Sequence, residues 1–132
     1  GRTAARRRAE DALATTGLTD RQHLQGSALT IADKKRLEVA MALATDPKLL
    51  MLDESMAGLT PVELQKIIGL LRQVRRQGIT LVIVEHVMEA VMQLSDRVIV
   101  LNSGRKLTEG TPREVVADPQ VVQAYLGERY RA

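Results

Sequence analysis

The sequence of 132 residues contains no cysteine, no phenylalanine and no tryptophan, and only two tyrosines, Tyr125 and Tyr130. Without thiols there are no disulfides and no thiolate metal sites, which fits a reducing compartment. So few aromatics argue against binding single-stranded nucleic acid by stacking, and no nucleic-acid partner is expected. No apolar run reaches the roughly 18 residues of a spanning helix, and no signal peptide opens the chain. Charge of one sign is also scarce: 19 Lys and Arg against 16 Asp and Glu leave +3. The small excess gathers at Arg2 and Arg6–Arg8 and again at Arg72, Arg75 and Arg76, as expected of solvated helix faces. One further absence bears on chemistry. A phosphate-binding loop needs Gly-x-x-x-x-Gly-Lys-Ser/Thr so that backbone amides can cradle phosphate, and no pair among the nine glycines has that spacing. The chain opens on Gly1 rather than Met, and it is expected to be a piece of a longer one.

What is present is aliphatic. Hydrophobic residues make up 45% of the chain, enough for one core and too little length for two ordinary domains. Residues 3–16 read as a helix stopped by Gly17, followed by an irregular stretch from Leu18 to Ala28. "LTIADKKRLEVAMALATDP" then reads as a helix with Thr30 as N-cap and Asp33 as its reciprocal partner. Leu37, Ala40, Met41 and Ala44 form its apolar stripe, and Asp46-Pro47 ends it. Leu49–Leu52 is a buried strand. "TPVELQKIIGLLRQVRRQG" carries a capping box at Thr60 and Glu63, Pro61 in first helical position and Gly78 as terminator, with Leu64, Ile67, Ile68, Leu71 and Val74 on one face.

Two more apolar runs, "TLVIVEH" and "RVIVLNSG", flank a short helix over "VMEAVMQLS". The second run is expected to turn near Gly104 into an antiparallel strand through Lys106 and Leu107. Capped segments at Thr111-Pro112 and Asp118-Pro119 lead to Gly127. The five methionines are expected as core filler. Strands without alternation, separated by amphipathic helices, predict an α/β fold whose mostly parallel sheet is covered on both faces.

In such sheets ligands bind beyond the carboxyl ends of the strands. One strand here ends in Asp53-Glu54 and another in Glu85-His86. If the two are neighbours, carboxylates and an imidazole meet at one edge, a set suited to a metal-bound phosphate, an activated water and a transferred phosphoryl group. The alternative is that Asp53 and Glu54 only cap the turn that follows, and that His86 is a surface histidine.

The order of these pieces, "LTIADKKRLEVAMALATDPKLLMLDESMAGLT" followed by "TLVIVEH", resembles the ATP-binding cassette (ABC) ATPases. With the tail "EGTPREVVADPQVVQAYLGE" it resembles in particular the ATPase subunits of branched-chain amino acid importers. The resemblance runs from about Ala9 to Glu128. It implies a P-loop NTPase-like fold of ABC type, with residues 1–28 as the end of a helical subdomain and 29–132 as the carboxyl-terminal part of the nucleotide-binding domain.

By position it implies that Asp53 is the Walker B aspartate holding Mg²⁺, that Glu54 is the general base, and that His86 is the switch histidine touching the γ-phosphate. It also implies that Ala57, Gly58, Leu59 and Thr60 are the D-loop. Leu29, Thr30, Ile31, Ala32 and Asp33 stand at the signature, which in the family reads LSGGQ and faces ATP held by a second subunit. Here both glycines of that signature are replaced, by Ile31 and Ala32, and Asp33 brings a negative charge that Lys34, Lys35 and Arg36 offset in part. The implied cofactors are ATP and Mg²⁺. The implied partners are a second nucleotide-binding subunit and membrane permease subunits, on the cytoplasmic face of the plasma membrane. Two other readings stand beside this one: a non-catalytic interaction module on the same fold, and, last, a phospho-accepting regulator using Asp53.

Overall fold

The computed structural model describes residues 1–126. Helix α1 (Arg2–Thr15) is followed by two 3-10 turns, then α2 (Ile31–Leu43), β1 (Leu49–Asp53), α3 (Pro61–Arg76) and β2 (Thr80–Val84). These belong to a first compact unit ending at His86; a second begins at Val87. The second holds α4 (Met88–Leu94), β3 (Val98–Asn102), β4 (Arg105–Gly110), α5 (Pro112–Ala117) and α6 (Pro119–Val121), then a π-type turn over Val122–Leu126. The expected stop at Gly127 lies outside the described residues.

Local chemistry sets the helix ends where the spacing predicts them. Gly17 takes φ +72°, a left-handed conformation in which the missing Cβ avoids a clash. The N–H of Leu18 then donates back to the carbonyl of Leu13 at 2.8 Å, closing α1. Thr60 caps α3 in a full box: its hydroxyl accepts from the N–H of Glu63, and the Glu63 carboxylate accepts from the N–H of Thr60. At α5 the Thr111 hydroxyl accepts from the N–H of Glu114, and at α6 the Asp118 carboxylate accepts from the N–H of Gln120.

On α3 the expected apolar face is buried: Leu64, Ile67, Ile68, Leu71 and Val74, joined by Leu70. Each such side chain contributes about 1.5–3 kcal/mol by leaving water, so this helix anchors the first unit. Gly69 sits exposed within α3 with nothing within 4 Å of where a Cβ would be. In that position it costs about 0.5–1 kcal/mol relative to alanine.

In the first unit, β1 and β2 pair in parallel with Leu49 opposite Thr80 and Asp53 opposite Val84. In the second, β3 and β4 form an antiparallel hairpin. Its two-residue turn has Ser103 and Gly104 both at positive φ, the geometry that matches strand twist. A bulge follows Val100, and the Tyr125 hydroxyl donates to the carbonyl of Leu101. Val115 and Val121 form the small core of this unit, with Met88, Val98, Val100, Val116 and Val122 packed against it.

Three expectations are corrected. Among the described residues the third apolar run does not extend the parallel pair; β3 hydrogen-bonds to β4 in a two-stranded antiparallel sheet. Nor is the parallel sheet covered on both faces among the described residues: Leu49, Met51, Val82 and Val84 are 50%, 67%, 41% and 54% exposed, while Leu50 is buried. Strand side chains alternate, so β1 and β2 have one inner and one bare apolar face. The methionines also divide, because Met56 is buried and Met88 is packed, whereas Met41, Met51 and Met92 lie on the surface. Met41 therefore drops out of the α2 stripe, where Val39 and Ala40 are the buried residues.

Candidate functional site

Register brings the polar strand ends together. With Asp53 opposite Val84, the residues that follow, Glu54 on one strand and Glu85-His86 on the other, leave the sheet at the same carboxyl edge. Glu54 continues the pairing: its N–H donates to the carbonyl of Val84 at 2.8 Å. Its backbone then turns to φ +48°, a left-handed conformation that costs a residue with a Cβ on the order of 1–2 kcal/mol. Such strain persists where surrounding structure imposes it, and it clusters at functional sites.

The turn after Glu54 answers whether the acid pair merely caps it. The cap is Glu85, whose carboxylate accepts from the N–H of Met56 at 3.0 Å across the sheet edge. Ser55 and Met56 are buried beneath this contact. Asp53, Glu54 and His86 are exposed, and none of the three side chains has a hydrogen-bond or ion-pair partner among the described residues. Two carboxylates with free lone pairs and an imidazole with free nitrogens thus stand at one strand edge, on a backbone braced by Val84 and Glu85. Glu85 is the residue that sequence reading passed over. Its only sequence signal was its place as a polar residue ending an apolar strand.

Among the described residues no group of three or more His, Asp or Glu gathers as a metal cage. A strand-end carboxylate without protein partners fits a hard cation that keeps most of its water and takes phosphate oxygens as its other ligands.

The remaining expected site residues lie at two helix starts. Ala57 and Gly58 are exposed in the turn leading to α3, Leu59 is half-buried, and Thr60 is the N-cap already described. At α2 the hydroxyl of Thr30 accepts from the N–H of Asp33 at 3.1 Å. Leu29 is half-buried, Ala32 is buried and Ile31 is 65% exposed at the first helical position.

Asp33 departs from expectation. Its carboxylate is buried, with Arg21 Nε at 2.9 Å from Oδ2 and Arg36 Nη1 at 3.9 Å from Oδ1. It therefore ties the turn before α2 to that helix, and its charge is spent on Arg21 and Arg36 rather than on Lys34 and Lys35. No hydrogen bond or ion pair among the described residues links residues 29–33 to Asp53, Glu54 or His86.

The chain is similar to known proteins along most of its length. The family profile described as ABC transporter matches residues 2–57, and one described as branched-chain amino acid ATP-binding cassette transporter matches residues 105–131. The chain is 42% identical over 122 residues to the high-affinity branched-chain amino acid transport ATP-binding protein LivG of Salmonella typhimurium, covering 92% of this chain and 48% of that protein. It is 35% identical over 124 residues to the lipopolysaccharide export system ATP-binding protein LptB of Acidithiobacillus ferridurans, covering 94% of this chain and 52% of that protein. The crystal structure of MJ1267, an ATP-binding cassette of an ABC transporter in its ADP conformation, superposes with a TM-score of 0.86 at 29% identity, covering 95% of this chain and 51% of that one. The chain thus spans about half the length of the curated relatives it matches. No helix among the described residues is long and apolar enough to cross a membrane.

Proposed function

Since this chain belongs to the ABC transporter family, we propose that it supplies the hydrolytic half of an ATP-binding, ATP-hydrolysing importer subunit. The observation that carries the reading is the braced strand edge: free carboxylates on Asp53 and Glu54 beside His86, held by the Glu54–Val84 and Met56–Glu85 hydrogen bonds. In this reading residues 1–28 end the helical subdomain and residues 29–132 form the carboxyl-terminal part of the nucleotide-binding domain. The phosphate cradle is supplied by residues outside this sequence.

The mechanism follows from charge and reach. Asp53 is the residue that would hold Mg²⁺, through water or directly, and the chemistry such an ion would supply there is neutralisation of phosphate charge. Glu54 would orient a water for in-line attack on the terminal phosphorus and accept a proton from it as the new P–O bond forms. The bond to the bridging oxygen breaks, so that ADP departs on the opposite side and phosphate is released. His86 donates a hydrogen bond to an oxygen of the transferred phosphoryl group. Residues 57–60 meet a second nucleotide-binding subunit, and permease subunits hold the assembly at the cytoplasmic face of the plasma membrane. The identity to LivG and the match over residues 105–131 support a branched-chain amino acid or similar small solute as cargo.

The test is ATP turnover by the complete subunit and by this chain alone. Glu54→Gln should lower turnover of the complete subunit by about 10²-fold or more while nucleotide binding is retained. This chain alone should show no turnover. Normal hydrolysis by the Glu54→Gln subunit would remove Glu54 from the role of base.

One observation favours a second reading, a non-catalytic interaction module. Ile31 projects at the start of α2, where a glycine would admit a phosphate to the helix N–H groups, and Asp33 is committed to Arg21. A degenerate signature of this kind predicts a stable complex with an intact cassette or permease that leaves its ATP turnover unchanged.

A further inference from the structure

Away from the strand edge, a cleft of about 530 Å³ opens between the carboxyl end of α1 and one face of α3. Its charge is one-sided. Arg36, Lys66, Arg72 and Arg76 line it, and no acidic residue is among the described residues that do. Lys66 and Arg76 have no ion-pair partner among the described residues, whereas Arg36 shares the buried Asp33. Arg72 and Arg76 are four apart and so neighbours on α3, and Lys66 lines the same cleft from the preceding turns.

Between Lys66 and Arg72, lining the same cleft, lies Gly69. It is an interior helical glycine, and among the described residues nothing beyond its chain neighbours and its own helix backbone comes within 4 Å of where a Cβ would be. Neither packing nor turn geometry in this structure calls for glycine there. A glycine in such a place lets another backbone approach closely.

The geometry points to this cleft as a docking site for an extended acidic segment of a partner protein. Lys66 and Arg76 stand roughly 15 Å apart along the helix axis. A compact phosphate cannot reach both. An extended chain places alternate side chains on one side about every 6.6 Å, so three alternating carboxylates span the same length. Arginine guanidiniums pair with carboxylates in a planar, two-bond geometry that gives such docking a direction. This site is separate from Asp53, Glu54 and His86 and does not depend on ATP hydrolysis.

Fluorescence anisotropy of a labelled heptapeptide alternating glutamate and alanine, titrated with the purified chain at low salt, tests it. The charge-reversal pair Lys66→Glu and Arg76→Glu should weaken binding by about tenfold or more. Gly69→Leu should weaken it comparably while circular dichroism and the melting temperature show the fold intact, since leucine favours helix over glycine. Arg2→Glu with Arg7→Glu, outside the cleft, should leave affinity within about twofold, as expected of screened surface charges. The proposal is overturned if the outer pair costs as much as the cleft pair, because net charge alone would then explain binding. It is also overturned if Gly69→Leu has no effect, or if inorganic triphosphate displaces the peptide at equal concentration, which would assign the cleft to a compact anion. Absence of peptide binding together with cleft-dependent sedimentation on phosphatidylglycerol vesicles would assign it to a membrane surface instead.

Discussion

The backbone N–H of Glu54 is bonded to the carbonyl of Val84 at 2.8 Å, one step beyond the Asp53–Val84 pair that ends the parallel ladder. That bond draws Glu54 over the edge of the sheet while its φ of +48° turns the chain out of the strand. The two features together fix where the carboxylate leaves the fold. Replacing Glu54 with glycine should relieve the left-handed strain and raise stability by about 1 kcal/mol, less the entropy that glycine adds to the unfolded chain. Urea unfolding of the variant measures this. A loss of stability would mean that the Glu54 side chain holds contacts of its own.

The brace from Glu85 is open to the same measurement. Glu85→Ala leaves the buried N–H of Met56 without its acceptor and should cost about 1–3 kcal/mol. Glu85→Gln keeps a carbonyl oxygen within reach and should cost less. Equal losses for the two variants would show that the charge, not the hydrogen bond, matters.

Asp33 should behave as a structural ion-pair residue. Asp33→Ala removes the partner of Arg21 and Arg36 and should destabilise the chain by about 2 kcal/mol, below the full value for a buried pair because Arg21 is partly exposed. In a double-mutant cycle with Arg21→Met the two losses should fall short of additive. Strict additivity would show that the pair carries no coupling.

In the second unit, Glu109 is held by Lys106 at 2.6 Å and Arg97 at 2.9 Å. The hydrogen bond from Lys106 first, then that from Arg97, lowers its carboxyl below the usual glutamate range. The folded pKa is thus below the unfolded one. The group's contribution is complete above the unfolded value and is lost as pH falls through the folded value. Carboxyl-carbon NMR titration should place its midpoint below the usual glutamate range. Lys106→Met should return that midpoint toward the ordinary value further than Arg97→Met, and added salt should narrow the difference.

Helix ends and faces were legible in the sequence because their causes are local. Thr60, Glu63 and Gly17 sit within a few residues of the groups they satisfy, and the α3 stripe needs only a helical period. The acid pair was legible as a pair, and so was its alternative as a turn cap. What rejects the alternative is a carboxylate 29 residues away in sequence, Glu85, accepting from Met56. In the same way, "RVIVLNSG" reads like the other apolar runs, yet its hydrogen bonds go to β4, because a two-residue turn closes a hairpin at little entropic cost.

By itself, then, the sequence determined which residue types stand at each strand and helix end, since capping, turning and periodic burial are decided by near neighbours. The tertiary structure alone decided that β1 and β2 share an edge, which groups there keep free lone pairs, and that Asp33 turns inward to Arg21. Those outcomes depend on register and on partners far along the chain, where only the folded backbone sets the distance.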